Sequence, residues 1–395
     1  MKTGIAFLVA GYVLSQFYRA FLAVLTPVLG AEIGAGPEAL ARASGLWFLA
    51  FALMQIPVGA ALDRIGPRRT ASVLLAIGGA GGATIFALAE GPLAVQAAMV
   101  LIGIGCSPVL MASYVIFARM FRPAVFGTLA GAMIGAGSLG NILGAAPLAW
   151  TVEAVGWRET LFGLAGVTLV VALALYRFVQ DPPPVVLTGE ETKATLLDLL
   201  KVPGLWAILP LMAVSYAPAA ALRGLWSGPY AERVFGADVT VIGTVTLAMG
   251  LAMVAGNFAY GPLDRVFGTR KWVVFWGNTL AATCLAGLWL FPASGLGTAT
   301  ALLAGVAIFG SSFPMIMAHA RGFFPAQLVG RGVTFLNMFG IGGAGIMQFA
   351  SGRVYNAAAA GAATPEAPFA LLFLFFLVPL ILGLALYLFS RDAPH

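Results

Sequence analysis

The sequence predicts an all-α membrane protein in which twelve transmembrane helices form two pseudo-symmetric six-helix halves. Three observations predict it. The 395 residues are 61% hydrophobic and only 9% charged, with a mean hydropathy of +0.97, which places the chain in a bilayer rather than in water. Twelve apolar runs, each long enough for a helix to cross the hydrocarbon, follow one another along the chain. Two unrelated fragments also recur at nearly one spacing. Asp63-Arg64 with Gly66, Arg68 and Arg69 returns 201 residues later as Asp264-Arg265 with Gly268, Arg270 and Lys271, and Ala118-Arg119 with Phe121 and Pro123 returns 202 residues later as Ala320-Arg321 with Phe323 and Pro325. Such a duplication is how many transporters build two halves around a central site.

The runs fall at residues 5–29, 44–62, 71–89, 93–117, 126–149, 160–179, 204–229, 239–262, 272–292, 297–319, 332–352 and 368–390. The first is too long for a cleaved signal segment and carries Arg19, so it reads as a retained span. Cys106 and Cys284 each lie inside an apolar run, where they serve as small apolar fillers rather than as a disulfide or metal pair. Between runs six and seven, residues 180–202 carry Pro182, Pro183, Pro184, Glu190, Glu191 and Lys193, then an apolar-periodic stretch at 196–200. This reads as a linker ending in a short surface helix. The halves are then 1–180 and 204–395, joined by 181–203, with no extramembrane domain and no cofactor.

An even number of spans puts both termini on one side. Of the 21 Lys and Arg residues, 15 fall on the side of the Asp63 loop, four (Arg42, Arg158, Arg233 and Arg353) on the other, and two inside spans. The positive-inside rule makes the termini cytoplasmic, in a bacterial-type inner membrane. Topology thus accounts for the basic balance without nucleic acid as a partner.

Four charges between Asp63 and Arg69, in so apolar a chain, belong at a membrane surface. With Gly59 before them, Asp63, Arg64, Gly66, Arg68 and Arg69 resemble the signature loop between spans two and three of the major facilitator superfamily. The resemblance covers the whole architecture. It implies that the loop holds a gate, with Asp63 near a helix N-terminus, where the helix dipole stabilises an anion, and the arginines tying adjacent helices. In the second copy, Asp264 and Arg265 are the counterparts, but Tyr260 stands in the place of Gly59 and one extra residue precedes Gly268. Members of the family are usually monomers.

Arg19 and Arg223 are the two arginines inside spans, 204 residues apart. At the bilayer centre an arginine costs roughly 2.5–3.5 kcal/mol on insertion scales, and each of the 15 acidic residues falls in a loop or at a span end. The simplest compensating charge is an anionic substrate held by guanidinium forks. For Arg223 an alternative is snorkelling toward the membrane exit marked by Trp226 and Pro229. Span one, with Gly11-Tyr12, Phe17-Tyr18-Arg19, Phe21, Ala23 and Pro27, is similar to the first helix of the organophosphate:phosphate antiporters. That resemblance casts Arg19 and Arg223 as substrate-anion ligands, although run five offers no histidine of the kind those antiporters use. Other polar groups suited to a central cavity are Gln16, Tyr18, Tyr114, Asn141, Tyr216, Asn257, Asn278, Asn337 and Gln348, with Tyr18 first because it adjoins Arg19.

The runs hold no carboxylate to carry a proton, and His319 ends run ten as an interfacial residue. Span four also lacks the arginine expected near Met99 in drug:proton antiporters. Organic-anion exchange or uniport is therefore favoured over proton-coupled drug efflux. A transport-incompetent sensor and a vitamin or metal importer, the last resting on Met249, Met253, Met315 and Met317, are further alternatives. Glycines at 127, 131, 135, 137, 140 and 144 in span five, mirrored at 340, 342, 343 and 345 in span eleven, allow close helix approach. No paired carboxylates, metal-spaced histidines or activated nucleophile point to an enzyme.

Overall fold

The computed structural model describes residues 2–121, 123–183, 203–324 and 329–392; the stretch expected to form a linker and surface helix, from 184 to 202, and the side chains of Asp63 and Arg265 lie outside the described residues. Helix follows helix, with no strand among the described residues. Among the described residues, nine helices are long and apolar enough to cross a membrane, and a bent pair at the N-terminus makes a tenth. Pro37, Pro67, Pro92 and Pro123 each open a helix, at the one position where a missing N–H costs nothing.

Several helices outrun their apolar stretches. Span two begins at Pro37 rather than near 44, span seven continues to Phe235 and span eleven runs Val329–Ala359. The extensions carry Glu38, Arg42, Glu232, Arg233 and Arg353. Hydropathy reads such residues as loop, yet a helix keeps its backbone hydrogen bonds wherever its turns pass the edge of the hydrocarbon.

Several spans are interrupted, and three of the interruptions bear on the site or its surroundings. Span one consists of Lys2–Phe17 and Leu22–Ile33, which meet at 51°. Span three has a π-helical turn at Leu75–Ala80. Span seven is divided into Leu209–Ser215, Ala217–Ala221, a π-helical turn at Leu222–Trp226, and Ser227–Phe235. π turns and broken membrane helices concentrate where backbone lines a functional cavity.

The two halves touch at the end of the bundle away from the termini, along seams of small residues. A Cβ on Gly228 of span seven would lie 2.1 Å from the Ala23 carbonyl of span one, and one on Gly45 of span two 2.6 Å from the backbone of Phe349 in span eleven. On the opposite flank, Gly243 of span eight would meet Ala149 of span five at 2.8 Å. Only glycine permits backbones this close. Polar contacts complete the seam: Thr240 donates to Glu153 at 2.5 Å, and Asn356 donates to Glu38.

Candidate functional site

A cavity of about 280 Å³ lies between the halves near mid-span, and every lining residue comes from spans one, two, four, five, seven, eight, ten and eleven. Both halves therefore contribute their first, second, fourth and fifth helices. Its wall is largely apolar, with Phe51, Met111, Met253, Phe313, Met317 and Ile341 among the lining side chains.

Arg19 is the charged group in this wall; no carboxylate lines the cavity among the described residues. It sits in the break of span one, where residues 18–21 leave the regular helical ladder. The break is held from the other half, since a Cβ on Gly224 would stand 2.7 Å from the Arg19 carbonyl. The guanidinium carbon is 5.2 Å from the Trp47 ring centre and 4.8 Å from that of Phe51. Those rings, one helical turn apart in span two, stack with centres 5.2 Å apart. The three centres form a nearly equilateral triangle, so the guanidinium straddles one edge of the aromatic pair instead of being clamped between the rings. Cation–π attraction of this kind steadies a cation without neutralising it. Arg19 Nε is buried and has no hydrogen-bond partner.

Gln16, Asn141, Tyr216 and Asn257 join Arg19 in the cavity wall, as do Tyr114 and Asn337. Gln16 donates to the Tyr12 hydroxyl at 2.8 Å. Asn141 is buried with its Oδ1 unpartnered. Two residues expected beside Arg19 are elsewhere. Tyr18 is fully buried inside the first half, its hydroxyl 2.9 Å from Thr168 Oγ1. Arg223 is 1% exposed and outside the wall; it bonds to Tyr216, while its Nε and Nη1 have no partner. Arg19 projects from a break and Arg223 from a π turn, so an equivalent place in sequence does not carry over to an equivalent direction in space. Asn278 is also structural, donating to the Val274 carbonyl and to Ser312 at 2.8 Å, and Gln348 is buried away from the cavity.

At the terminus-bearing end, Gly59, Asp63 and Arg64 belong to the helix Gln55–Arg64, and Gly66 precedes the helix Pro67–Leu74. Arg64 and Arg69 are exposed. Among the described residues, Asp181, from just beyond span six, places a carboxylate at the N-terminus of the Pro67 helix: it accepts from the Arg68 N–H at 2.7 Å and lies 3.6 Å from Arg68 Nε. Arg68 also rests over the Tyr176 ring. In the second half Asp264 pairs with Arg270 at 3.2 Å. There the carboxylate at the N-terminus of span nine is Asp392, from just beyond span twelve, which accepts from the Lys271 N–H at 3.2 Å and from the Thr269 hydroxyl. Burial tends to raise the Asp392 pKa, but these hydrogen bonds and the nearby His319 ring prevail and hold it below the usual carboxylate value. His319, in the last turn of its helix at this end, is fully buried, 2.6 Å from the Tyr387 hydroxyl and 2.9 Å from the Arg391 carbonyl. Because a carbonyl only accepts, Nε2 donates to Arg391 and Nδ1 accepts from Tyr387 when the ring is neutral.

Sequence reasoning passed over Trp47, Phe51, Gln55, Asp181 and Asp392. A tryptophan and a phenylalanine four residues apart in span two were a visible signal for the first pair. The two aspartates share a position, each following the last span of its half.

Three solved structures share the fold across nearly the whole chain. A bacterial homologue of the human lysosomal transporter Spinster matches in an inward-facing and occupied conformation with a TM-score of 0.77 and 17% identity, over 98% of this chain and 96% of that one. In its inward-facing and unoccupied conformation the values are 0.74 and 16%, over 99% and 98%. A D-xylose-proton symporter matches with a TM-score of 0.80 and 16% identity, over 99% and 98%. No curated protein matches the chain by sequence. Residues 8–227, more than half of the chain, match the profile of the Major Facilitator Superfamily, and the chain, whose helices surround a central cavity, belongs to that family.

Proposed function

We propose that this transporter moves a small organic anion across the inner membrane by alternating access, with Arg19 as the ligand of the anionic group. The observation that carries the reading is the charge balance of the cavity: one guanidinium with a buried, unpartnered Nε, and no lining carboxylate among the described residues. A binding-site cation without a protein counter-ion is stabilised by a substrate that brings one. The same balance speaks against proton-coupled drug efflux, which needs a titratable group in the pathway. Of the features shared with organophosphate:phosphate antiporters, the parts that reach this cavity are Tyr12 and Arg19.

In this reading the halves 1–180 and 204–395 rock as units about the site, in a monomer with cytoplasmic termini. Gly59, Asp63, Arg64, Gly66, Arg68 and Arg69 form the gate at the cytoplasmic end with Asp264 and Arg265, and Asp181 is added to it. Ion clusters at a surface suit this work because they break at little cost. A second reading, a neutral hydroxyl-rich substrate, draws on the lining amides Gln16, Gln55, Asn141, Asn257 and Asn337.

Ligand-induced thermal stabilisation of the detergent-purified protein separates the two. Carboxylates and phosphoesters that stabilise the wild type but not Arg19→Gln support the anion reading. Stabilisation by neutral sugars or cationic drugs, equal in both proteins, overturns it.

A further inference from the structure

We propose that the substrate is a monoanion with a compact apolar body, of the monocarboxylate type, and not a dianion such as a dicarboxylate or a phosphate monoester. The inference rests on the reading of Arg19 as the anion ligand and narrows the substrate class of that site.

Charge counting comes first. Arg19 supplies one positive charge to the wall, and Arg223, the other cation within the spans, is 1% exposed and outside it. The remaining polar lining groups are amides and hydroxyls. A second negative charge would therefore leave water for a cavity with no second cation in its wall, and an unpaired charge in a desolvated site is strongly disfavoured. Access to Arg19 points the same way. The Trp47 and Phe51 rings cover one side of the guanidinium, so its free edge suits one carboxylate-sized group.

The body of the ligand follows from the rest of the wall. The apolar part of the wall includes Phe51, Met111, Met253, Phe313, Met317 and Ile341, a surface that gains by covering carbon and loses by covering charge. Methionines on three different spans adapt to ligand shape. The volume of about 280 Å³ lies just below the usual range of ligand pockets, which fits a compact molecule rather than a drug-sized one.

Two matched series test the proposal with the intact protein: hexanoate, hexanedioate and hexan-1-ol, and benzoate, terephthalate and benzyl alcohol. Within each series the skeleton is kept and the charge is one, two or zero. Affinity is read from thermal stabilisation of wild type, Arg19→Gln and Arg19→Lys. The expected result is a monoanion affinity at least about tenfold above those of the dianion and the alcohol, lost in Arg19→Gln and partly kept in Arg19→Lys. A dianion that binds as tightly as its monoanion, still dependent on Arg19, overturns the single-charge proposal and leaves the anion reading standing. Alcohols that bind as well as the acids, unchanged in Arg19→Gln, overturn both. No stabilisation by any of the six at about 10 mM, well above a millimolar Kd, overturns the proposal as well. Should Arg19→Gln fail to fold, the wild-type ranking of one, two and zero charges decides.

Discussion

Spans one and seven are the same element of two repeats, and each carries one arginine, but they use it differently. Span one breaks, and its Arg19 stands half-buried in the cavity wall against two aromatic rings. Span seven winds into a π turn, and its Arg223 is buried outside the cavity wall, bonded to the lining Tyr216 and with two of its nitrogens unpartnered. A duplication preserves where helices go; local winding then decides which way a side chain points. One half has kept its arginine for the cavity, and the other has folded its own into the protein.

The seam shared by these spans gives the largest expected effect. Gly228→Val places a branched side chain where a Cβ alone would lie 2.1 Å from the Ala23 carbonyl, so the end away from the termini cannot close as it does here. Transport is expected to stop, and a cysteine introduced in the cavity to become accessible from that end; retained transport would show that the seam is not a gate. Next comes the contrast between the arginines themselves. Arg19→Gln is expected to cost anion binding about 2 kcal/mol or more, some thirtyfold in Kd. Arg223→Met is expected to leave binding within about twofold and thermal stability unchanged or higher, because replacing a poorly satisfied buried charge by an apolar group of similar length is often neutral or favourable. Equal losses of affinity in both variants would erase the distinction between the spans.

How far the sequence carried follows from the same helices. Hydropathy and the offset fragments were enough for twelve spans in two halves, because membrane insertion depends on averages over some twenty residues. Gln16, Arg19, Asn141, Tyr216 and Asn257 were legible as cavity residues, since polar groups deep in apolar runs need a reason. Arg223 and Tyr18 were misplaced because their direction depends on a π turn and a helix break, and no apolar period records either. Asp181 was missed for another reason: its partner, the Arg68 N–H, lies 113 residues away, and one aspartate after a span looks like any solvated loop residue.

At the terminus-bearing end the repeats differ in turn geometry. Gly66 has φ +99° and Gly268 φ +63°, both in the region that favours glycine. A Cβ on Gly66 would also meet the Asp181 carboxylate at 2.8 Å, whereas one on Gly268 would meet nothing within 4 Å. Gly268→Ala is therefore expected to cost about 1 kcal/mol for backbone conformation alone, and Gly66→Ala about 2 kcal/mol, at the upper end of that range, as it also pushes Asp181 off its helix. Thermal unfolding of the two variants checks the order; equal losses would mean that Asp181 moves aside freely.

The smallest effects compare the capping carboxylates. Asp181 and Asp392 each accept a backbone N–H in the first turn of the helix that opens the third span of its half, so Asp181→Asn and Asp392→Asn are each expected to cost about 1 kcal/mol at neutral pH. For Asp392 the pH dependence has a definite sign. Burial opposes ionisation, but the Thr269 and Lys271 hydrogen bonds and the His319 ring outweigh it and lower the folded-state pKa. A carboxylate with a lowered folded pKa contributes stability above its unfolded value, about 3.9, and loses it as pH falls through the folded one. The gap in unfolding temperature between wild type and Asp392→Asn should therefore hold steady from neutral pH to about pH 5 and close below about pH 4. A gap that stays open in acid would mean that Asn loses packing rather than charge. A gap for Asp181 with none for Asp392 would mean that the C-terminal strap over span nine, where Lys271 Nζ also bonds the Leu388 and Ser390 carbonyls, holds without its carboxylate.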